Sequence, residues 1–190
     1  AVLQVHEKGD AAARPEIVRQ TPASAMLEGN SAPGQVAMRM AISLAAAKAP
    51  QAGVALITVV NVHWIAALAP YLADLAAAGL PAMIFCQDCR CRDCPPFGGM
   101  ERMFSTNPIG LTWPTGNGPV ISDFSTSAIS MGRLMKMKRQ GERPPEPILY
   151  DPEGNPTDDP DAFEAGGSMM FAGGEHFGYK GYALSLWTQV

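Results

Sequence analysis

Residues 51–73 contain no Asp, Glu, Lys or Arg, and an uncharged run of that length is long enough to cross a bilayer. Its interior argues otherwise. Asn61, His63 and Pro70 fall inside it, and its composition changes partway from the β-rich VALITVV of residues 54–60 to an Ala- and Leu-rich continuation. A short, continuously apolar, β-branched segment is the pattern of a strand covered on both faces. Residues 64–78 are apolar all round and stop at Gly79, where a left-handed residue is easily accommodated, which is the pattern of a buried helix. The segment reads as a buried strand feeding a helix, and no membrane partner is expected.

The alternation continues on both sides. Ser31-Ala32-Pro33-Gly34 offers an N-cap and an early proline for a helix over residues 36–48, closed by Pro50 and Gly53. A second buried strand is expected over residues 82–85. Helix, strand, helix, strand with short connections predicts crossover units with at least two parallel strands, and hence an α/β fold. Another helix is expected over residues 126–139, where Met131, Leu134, Met135 and Met137 lie on or near one face as core filler. The Pro/Gly-rich residues 144–160 read as an excursion and not as a linker, so residues 1–190 count as one domain. With 47% hydrophobic residues the chain can bury one sizeable core. Net charge is −4 and the 14 Lys and Arg are scattered, which gives no surface for a nucleic-acid backbone. The first ten residues lack the charged and apolar regions of a secretory signal, so the cytoplasm is the expected compartment.

Four places can carry chemistry. His63 follows the first buried strand at the start of a helix, where open α/β sheets expose their crevices. An imidazole there can exchange a proton with a substrate oxygen near neutral pH; position alone leaves a structural or merely exposed histidine open, and His6 and His176 have less context still. Cys86, Cys89, Cys91 and Cys94 form C-x-x-C-x-C-x-x-C. Two such pairs can wrap a zinc ion, but only Arg90 separates them, whereas structural sites place a longer loop between the halves. Reduced, unliganded thiols are the alternative, and no metal site is assigned. The run Asp151-Pro-Glu-Gly-Asn-Pro-Thr-Asp-Asp-Pro hints at a calcium loop, yet Pro156 and Ala162 stand where that loop needs a glycine and a bidentate glutamate. Asx and proline turns explain it more simply. Finally, Lys180 between glycines, ahead of the apolar residues 182–187, can place backbone N–H groups and an ammonium at a helix N-terminus, an arrangement suited to an anion; a glycine turn with a solvated lysine fits the spacing equally.

Taken in order, several blocks resemble one family. They are Gly29-Asn30 through Gly34-Gln35, Asn61-Val62-His63-Trp64, Pro96-Phe97-Gly98-Gly99, Thr106-Asn107-Pro108, Asp123-Phe124-Ser125-Thr126-Ser127, Asp151 through Pro160, and Gly178-Tyr179-Lys180-Gly181-Tyr182. Together they are similar to the malate/L-lactate dehydrogenase family, which includes ureidoglycolate and sulfolactate dehydrogenases and the cyclic-imine carboxylate reductases. The resemblance implies a non-Rossmann α/β fold with a mixed sheet flanked by helices, in keeping with the lack of a G-x-G-x-x-G fingerprint. It implies NADH or NADPH as cofactor and a homodimer. It also implies hydride transfer to or from C2 of a small 2-hydroxy or 2-oxo acid or a cyclic imino acid.

By the same resemblance His63 matches the family's proton-transferring histidine. Asp123, Phe124 and Ser125 match a cofactor-contacting stretch, Lys180 and Gly181 a second contact, and Gly98, Gly99, Thr106, Asn107 and Pro108 the turns around the cofactor cleft. The chain departs from the family pattern beside the histidine, where Asn61-Val62-His63-Trp64-Ile65 replaces Ser-Asn-His-Phe-Gly, and the cysteine-bearing loop is a few residues longer. A Ser-His-Gly segment that precedes these blocks in relatives is not matched, and relatives continue past Val190. The chain is therefore expected to cover little more than half of a typical member. A non-catalytic, cofactor-binding fragment is the competing reading, and a small metal-binding module built on the cysteines is a third.

Overall fold

The computed structural model describes residues 12–88 and 90–189, so the expectations attached to His6, Cys89 and the first ten residues lie outside the described residues. The chain forms two compact units, one from residues up to Ile84 together with Gly110–Ser122, the other from Phe85–Ile109 together with the chain after Ser122.

In the first unit, β1 (Glu16–Gln20), β2 (Ser24–Glu28) and β3 (Leu56–Val60) form a mixed sheet in that order. β1 and β2 pair antiparallel; β2 and β3 pair parallel from Ser24↔Leu56 to Glu28↔Val60. The crossover between the parallel strands is α1 (Gly34–Ala52), which buries Gly34, Ala37, Met38 and Ala41. These positions follow the i, i+3, i+4, i+7 spacing of a helix face turned to a core. Gly53 closes α1 in the left-handed region at φ 81°. Next comes α2 (Ala69–Ala77), burying Tyr71, Leu72, Leu75 and Ala76 and followed by left-handed Gly79.

A second sheet has the order β4 (Ala82–Phe85), β5 (Ile109–Trp113), β6 (Val120–Phe124). Gly110 of β5 lies against α2, where a Cβ would come within 2.8 Å of Leu72 and 3.1 Å of Leu68. Leu27, Leu68 and Leu72 are fully buried, each contributing roughly 1.5–3 kcal/mol relative to exposure.

The second unit contains α3 (Met131–Gln140), β7 (Leu149–Tyr150), β8 (Pro156–Thr157), α4 (Asp161–Glu164), β9 (Ser168–Met169), α5 (Gly174–Phe177) and α6 (Tyr179–Trp187). β7 pairs antiparallel with β8 on one side and β9 on the other. The core is Cys94, Ile129, Leu134, Met137, Leu149, Met169 and Phe171, with Met131 and Met135 packed at its edge, so the methionines are core filler as expected. Phe104, Phe171 and Tyr182 meet as three ring pairs 5.4–5.9 Å apart. The Asp151 segment is the β7–β8 turn: its carboxylate accepts the Asn155 N–H at 2.8 Å, which holds the Asp151 carboxyl below the usual range.

The α/β reading holds, with four corrections. β3 is not covered on both faces: Ile57 and Val59 are half-buried, but Leu56 is 69% exposed. The parallel partner of β3 is β2, not β4, which belongs to the other sheet and alternates half-buried and exposed residues. The helix expected from residue 64 begins at Ala69, so His63 sits in the loop after β3 and not at a helix start. The helix expected from residue 126 begins at Met131, capped by Ser130, because Thr126 is tied to Thr106 and Ser127 bridges Phe171. No helix among the described residues is long and apolar enough to cross a membrane.

Candidate functional site

His63 is half-buried in the first unit, three residues beyond β3. Its N–H donates to the Ala32 carbonyl at 3.1 Å. Gly34 lies directly beneath, where a Cβ would stand 2.2 Å from the His63 carbonyl oxygen. Only a glycine allows that approach, because the nearest obstructing atom and the Trp64 carbonyl oxygen are backbone, with Ile65 Cγ2 between them. From the far side of the loop, the buried Tyr71 of α2 donates its hydroxyl to the Ile65 carbonyl at 2.6 Å. The imidazole is thus carried on a backbone fixed before and after it.

The residues matched to cofactor contacts lie in the second unit, and the hydrogen bonds there join blocks far apart in sequence. The Thr106 carbonyl accepts both the N–H and the hydroxyl of Thr126, at 3.0 and 3.1 Å. Thr126 in turn accepts the Ala172 N–H at 2.8 Å, and the Ala172 carbonyl accepts the Gly181 N–H at 3.2 Å. Gly181 is buried, and a Cβ on it would meet Thr126 O at 2.5 Å and Ala172 N at 2.6 Å. Asn107 is fully buried with φ 36°, and its Nδ2 donates to Ser185 Oγ at 2.9 Å, one turn along α6 from Gly181. Its Oδ1 has no hydrogen-bond partner among the described residues.

Phe97 and Tyr179 pack edge to face at 5.9 Å, bringing the Gly98-Gly99 turn beside the start of α6. That turn is closed by the Gly99 N–H on Pro96 O at 2.8 Å, with Gly98 at φ 82°. Lys180 is exposed in the first turn of α6, its ammonium 5.3 Å from the Phe177 ring and 5.9 Å from the Tyr179 ring. Asp123 and Phe124 end β6 and are exposed; the Ser125 hydroxyl donates to Ser127 O at 2.9 Å. The structure therefore brings Thr106, Asn107 and Gly181 together and sets the Gly98-Gly99 turn against α6, while His63 belongs to the first unit. Pro108 contributes its carbonyl, which accepts the Cys86 N–H at 3.1 Å.

Beside these turns a cleft of about 220 Å³ is lined by Gly98, Gly99, Tyr150, Asp151, Gly154 and Ser168, among others. Sequence reasoning missed Tyr71, and it missed Ser185, whose signal was a serine inside the apolar residues 182–187.

Cys94 is buried in the second unit's core, where burial, and after it Asp93, pushes its thiol up strongly. Burial and then Asp88 push Cys86 up to about 11, and the same two causes act on Cys91, which also reaches about 11 and donates to Asp88 Oδ2 at 3.4 Å. Burial works to raise Asp88, but hydrogen bonds from Arg90 and Cys91 outweigh it and hold the carboxyl low. Among the described residues no three His, Cys, Asp or Glu side chains gather as an ion would need.

The fold is an α/β fold shared with known dehydrogenases and reductases. Δ1-piperideine-2-carboxylate reductase from Pseudomonas syringae pv. tomato superimposes with a TM-score of 0.83 at 32% identity, covering 96% of this chain and 53% of that one. The sequence profile of the Malate/L-lactate dehydrogenase family matches residues 4–190, and the chain belongs to that family. It is 35% identical over 181 residues to a malate dehydrogenase of Pyrococcus abyssi, which covers 93% of this chain and 49% of the relative. It is also 35% identical over 157 residues to a Δ1-pyrroline-2-carboxylate/Δ1-piperideine-2-carboxylate reductase of Pseudomonas putida, covering 82% and 44%. The chain thus spans about half the length of the curated relatives it matches.

Proposed function

We propose that the protein is an NAD(P)-dependent oxidoreductase acting on C2 of a small 2-hydroxy or 2-oxo acid, with His63 exchanging the proton on the substrate oxygen. The observation that carries this reading is the hydrogen-bonded run from Thr106 through Thr126 and Ala172 to Gly181, which unites three of the family's cofactor-associated blocks in one unit. The residues suit a nicotinamide dinucleotide. α6 begins without a side-chain cap, which leaves N–H groups and the Lys180 ammonium for phosphate or carboxamide oxygens. Asn107 Oδ1 is a buried acceptor with no partner among the described residues. When bound, NADH or NADPH supplies the hydride.

Asp123, Phe124, Ser125, Gly98, Gly99 and Pro108 complete the proposed cofactor set. His63 gives or takes the proton in step with hydride movement, the ordinary contribution of a positioned general acid or base. On the family likeness the working enzyme is a cytoplasmic homodimer. A cyclic imino acid, protonated on nitrogen and not oxygen, is the second reading, supported by the identity to the Pseudomonas putida reductase and by Asn61-Val62-His63-Trp64-Ile65 beside the histidine. The test is oxidation of NADH and of NADPH, followed by nicotinamide absorbance, with a panel of 2-oxo acids and cyclic imino acids. Turnover with one class selects the substrate; no binding of either nicotinamide, measured by fluorescence titration, refutes the reading.

A further inference from the structure

Around His63 the backbone of the first unit is unusually constrained. Asn30, Ser31, Asn61 and Ala66 all have positive φ, between 52° and 65°, a left-handed region that L residues other than Gly adopt at an energetic cost. Such conformations persist only where surrounding contacts over-determine them. Two loops share the strain, residues 29–33 after β2 and residues 61–68 after β3. They are zipped by Gly29 N–H to Val60 O at 2.8 Å, Ser31 N–H to Asn61 O at 2.8 Å and His63 N–H to Ala32 O. A Cβ on Gly29 would stand 2.2 Å from Val62 Cγ1, so the loops touch backbone to side chain.

Glu28 occupies the last position of β2, in register with Val60 at the end of β3. Its carboxylate reaches past the sheet's end to both strained loops. Oε1 accepts the backbone N–H of Asn30 at 3.0 Å, and Oε2 accepts Asn61 Nδ2 at 2.8 Å. Bonds from N–H donors to an ionised carboxylate are about twice as strong as neutral ones. Each oxygen therefore secures one left-handed asparagine, and Asn61 lies two residues before His63.

We propose that Glu28 is a positioning residue for His63: its carboxylate clamps the two loops in the conformation that aims the imidazole. The proposal rests on the proton-transfer reading of His63 for its catalytic consequence, but not for its structural one. Misplacement of a reacting group by about 1 Å can cost on the order of 100-fold in rate, so a modest release of the loop has a large readout.

The experiment compares Glu28→Ala, Glu28→Gln, Asn61→Ala and the double variant Glu28→Ala/Asn61→Ala. The readouts are turnover, NAD(P)H affinity, thermal midpoint, and the NMR resonances of the His63 ring, assigned by their loss in His63→Ala. Glu28→Ala is expected to lower kcat by about 10- to 100-fold, with NAD(P)H affinity unchanged within twofold and the His63 resonances shifted or split. Asn61→Ala should reproduce this, the double variant should be no worse than either single one because the two groups act as one unit, and Glu28→Gln, which keeps an acceptor oxygen, should recover part of the rate. His63 resonances identical to the parent in Glu28→Ala, or fully additive losses in the double variant, overturn the proposal. Undiminished turnover in His63→Ala instead defeats the proton-transfer reading, and the ring resonances then still decide whether Glu28 holds the ring.

Discussion

Gly181→Ala sets two opposing effects against each other in α6. Replacing glycine by alanine inside a helix favours folding by up to about 1 kcal/mol through backbone entropy. Here the added Cβ would lie 2.5 Å from Thr126 O, 2.6 Å from Ala172 N and 2.8 Å from Ala172 O, and all three are backbone atoms that cannot swing aside. Relieving the overlap requires α6 to move away from residue 172. Overpacking of this kind costs about 1–3 kcal/mol, and the Gly181–Ala172 hydrogen bond that the shift would break is worth about 1 kcal/mol. The unfavourable side wins, leaving a net loss of about 1–3 kcal/mol. Gly132 of α3 is the control, because nothing lies within 4 Å of its Cβ position; Gly132→Ala should gain about 0.4–1 kcal/mol. Urea melts of both variants, followed by circular dichroism, measure the difference. A Gly181→Ala midpoint equal to or above that of the parent would refute the close-approach argument and with it the packed start of α6.

Other substitutions probe the chemistry. His63→Ala should reduce turnover by about 10²–10⁴-fold while NAD(P)H affinity stays near the parent value; near-normal turnover removes the imidazole from the reaction. Lys180→Met should weaken NAD(P)H binding with little change in thermal midpoint, since an exposed lysine contributes little to stability but can meet a phosphate. Equal affinities in fluorescence titrations would break that assignment. Cys86 and Cys91, held at about 11, keep their protons at pH 8, so site-resolved alkylation by iodoacetamide should run on the order of 100-fold slower than for an unperturbed thiol. Because the fold raises these values, it favours the protonated thiols, and that preference is lost as pH climbs from the ordinary thiol range towards about 11. Asp88→Asn removes a carboxylate that raises Cys91 and should quicken its alkylation, whereas an unchanged rate would count against the electrostatic cause.

The sequence disclosed elements where local signals were self-sufficient and hid them where partners distant in the chain decided. Gly53 and Gly79 mark helix ends because left-handed glycine is a local matter, and both stand at positive φ. The loop of residues 61–68 was invisible, since Ala66, Ala67 and Leu68 suit a helix; Ala32, Glu28 and Tyr71 hold this stretch out of one. Thr126 and Ser127 were likewise claimed for a helix until Thr106 and Phe171 took them. Ser130 was the available signal, a good N-cap whose hydroxyl accepts the Arg133 N–H. Strands β5 and β6 were legible through the Asn117-Gly118 turn between them, but the stretch was not read that way. For the candidate site, the residue types were readable in order, and what could not be read was which of them touch. Asn107 reaches Ser185, 78 positions away, through a packing no periodicity encodes.

The division of the chain bears on how it is made. The first unit needs Gly110–Ser122 to finish its second sheet, and the second unit begins at Phe85, before that sheet is complete. On a ribosome, neither unit can close when synthesis has passed Ile84 but not yet reached Gly110. β4 must wait, unpaired, until the excursion from Phe85 to Ile109 has been synthesised and β5 arrives. Closing such a loop costs entropy before any long-range contact repays it, so the exposed strand, with Met83 and Phe85 turned outward, is the segment most in need of a chaperone's cover during synthesis.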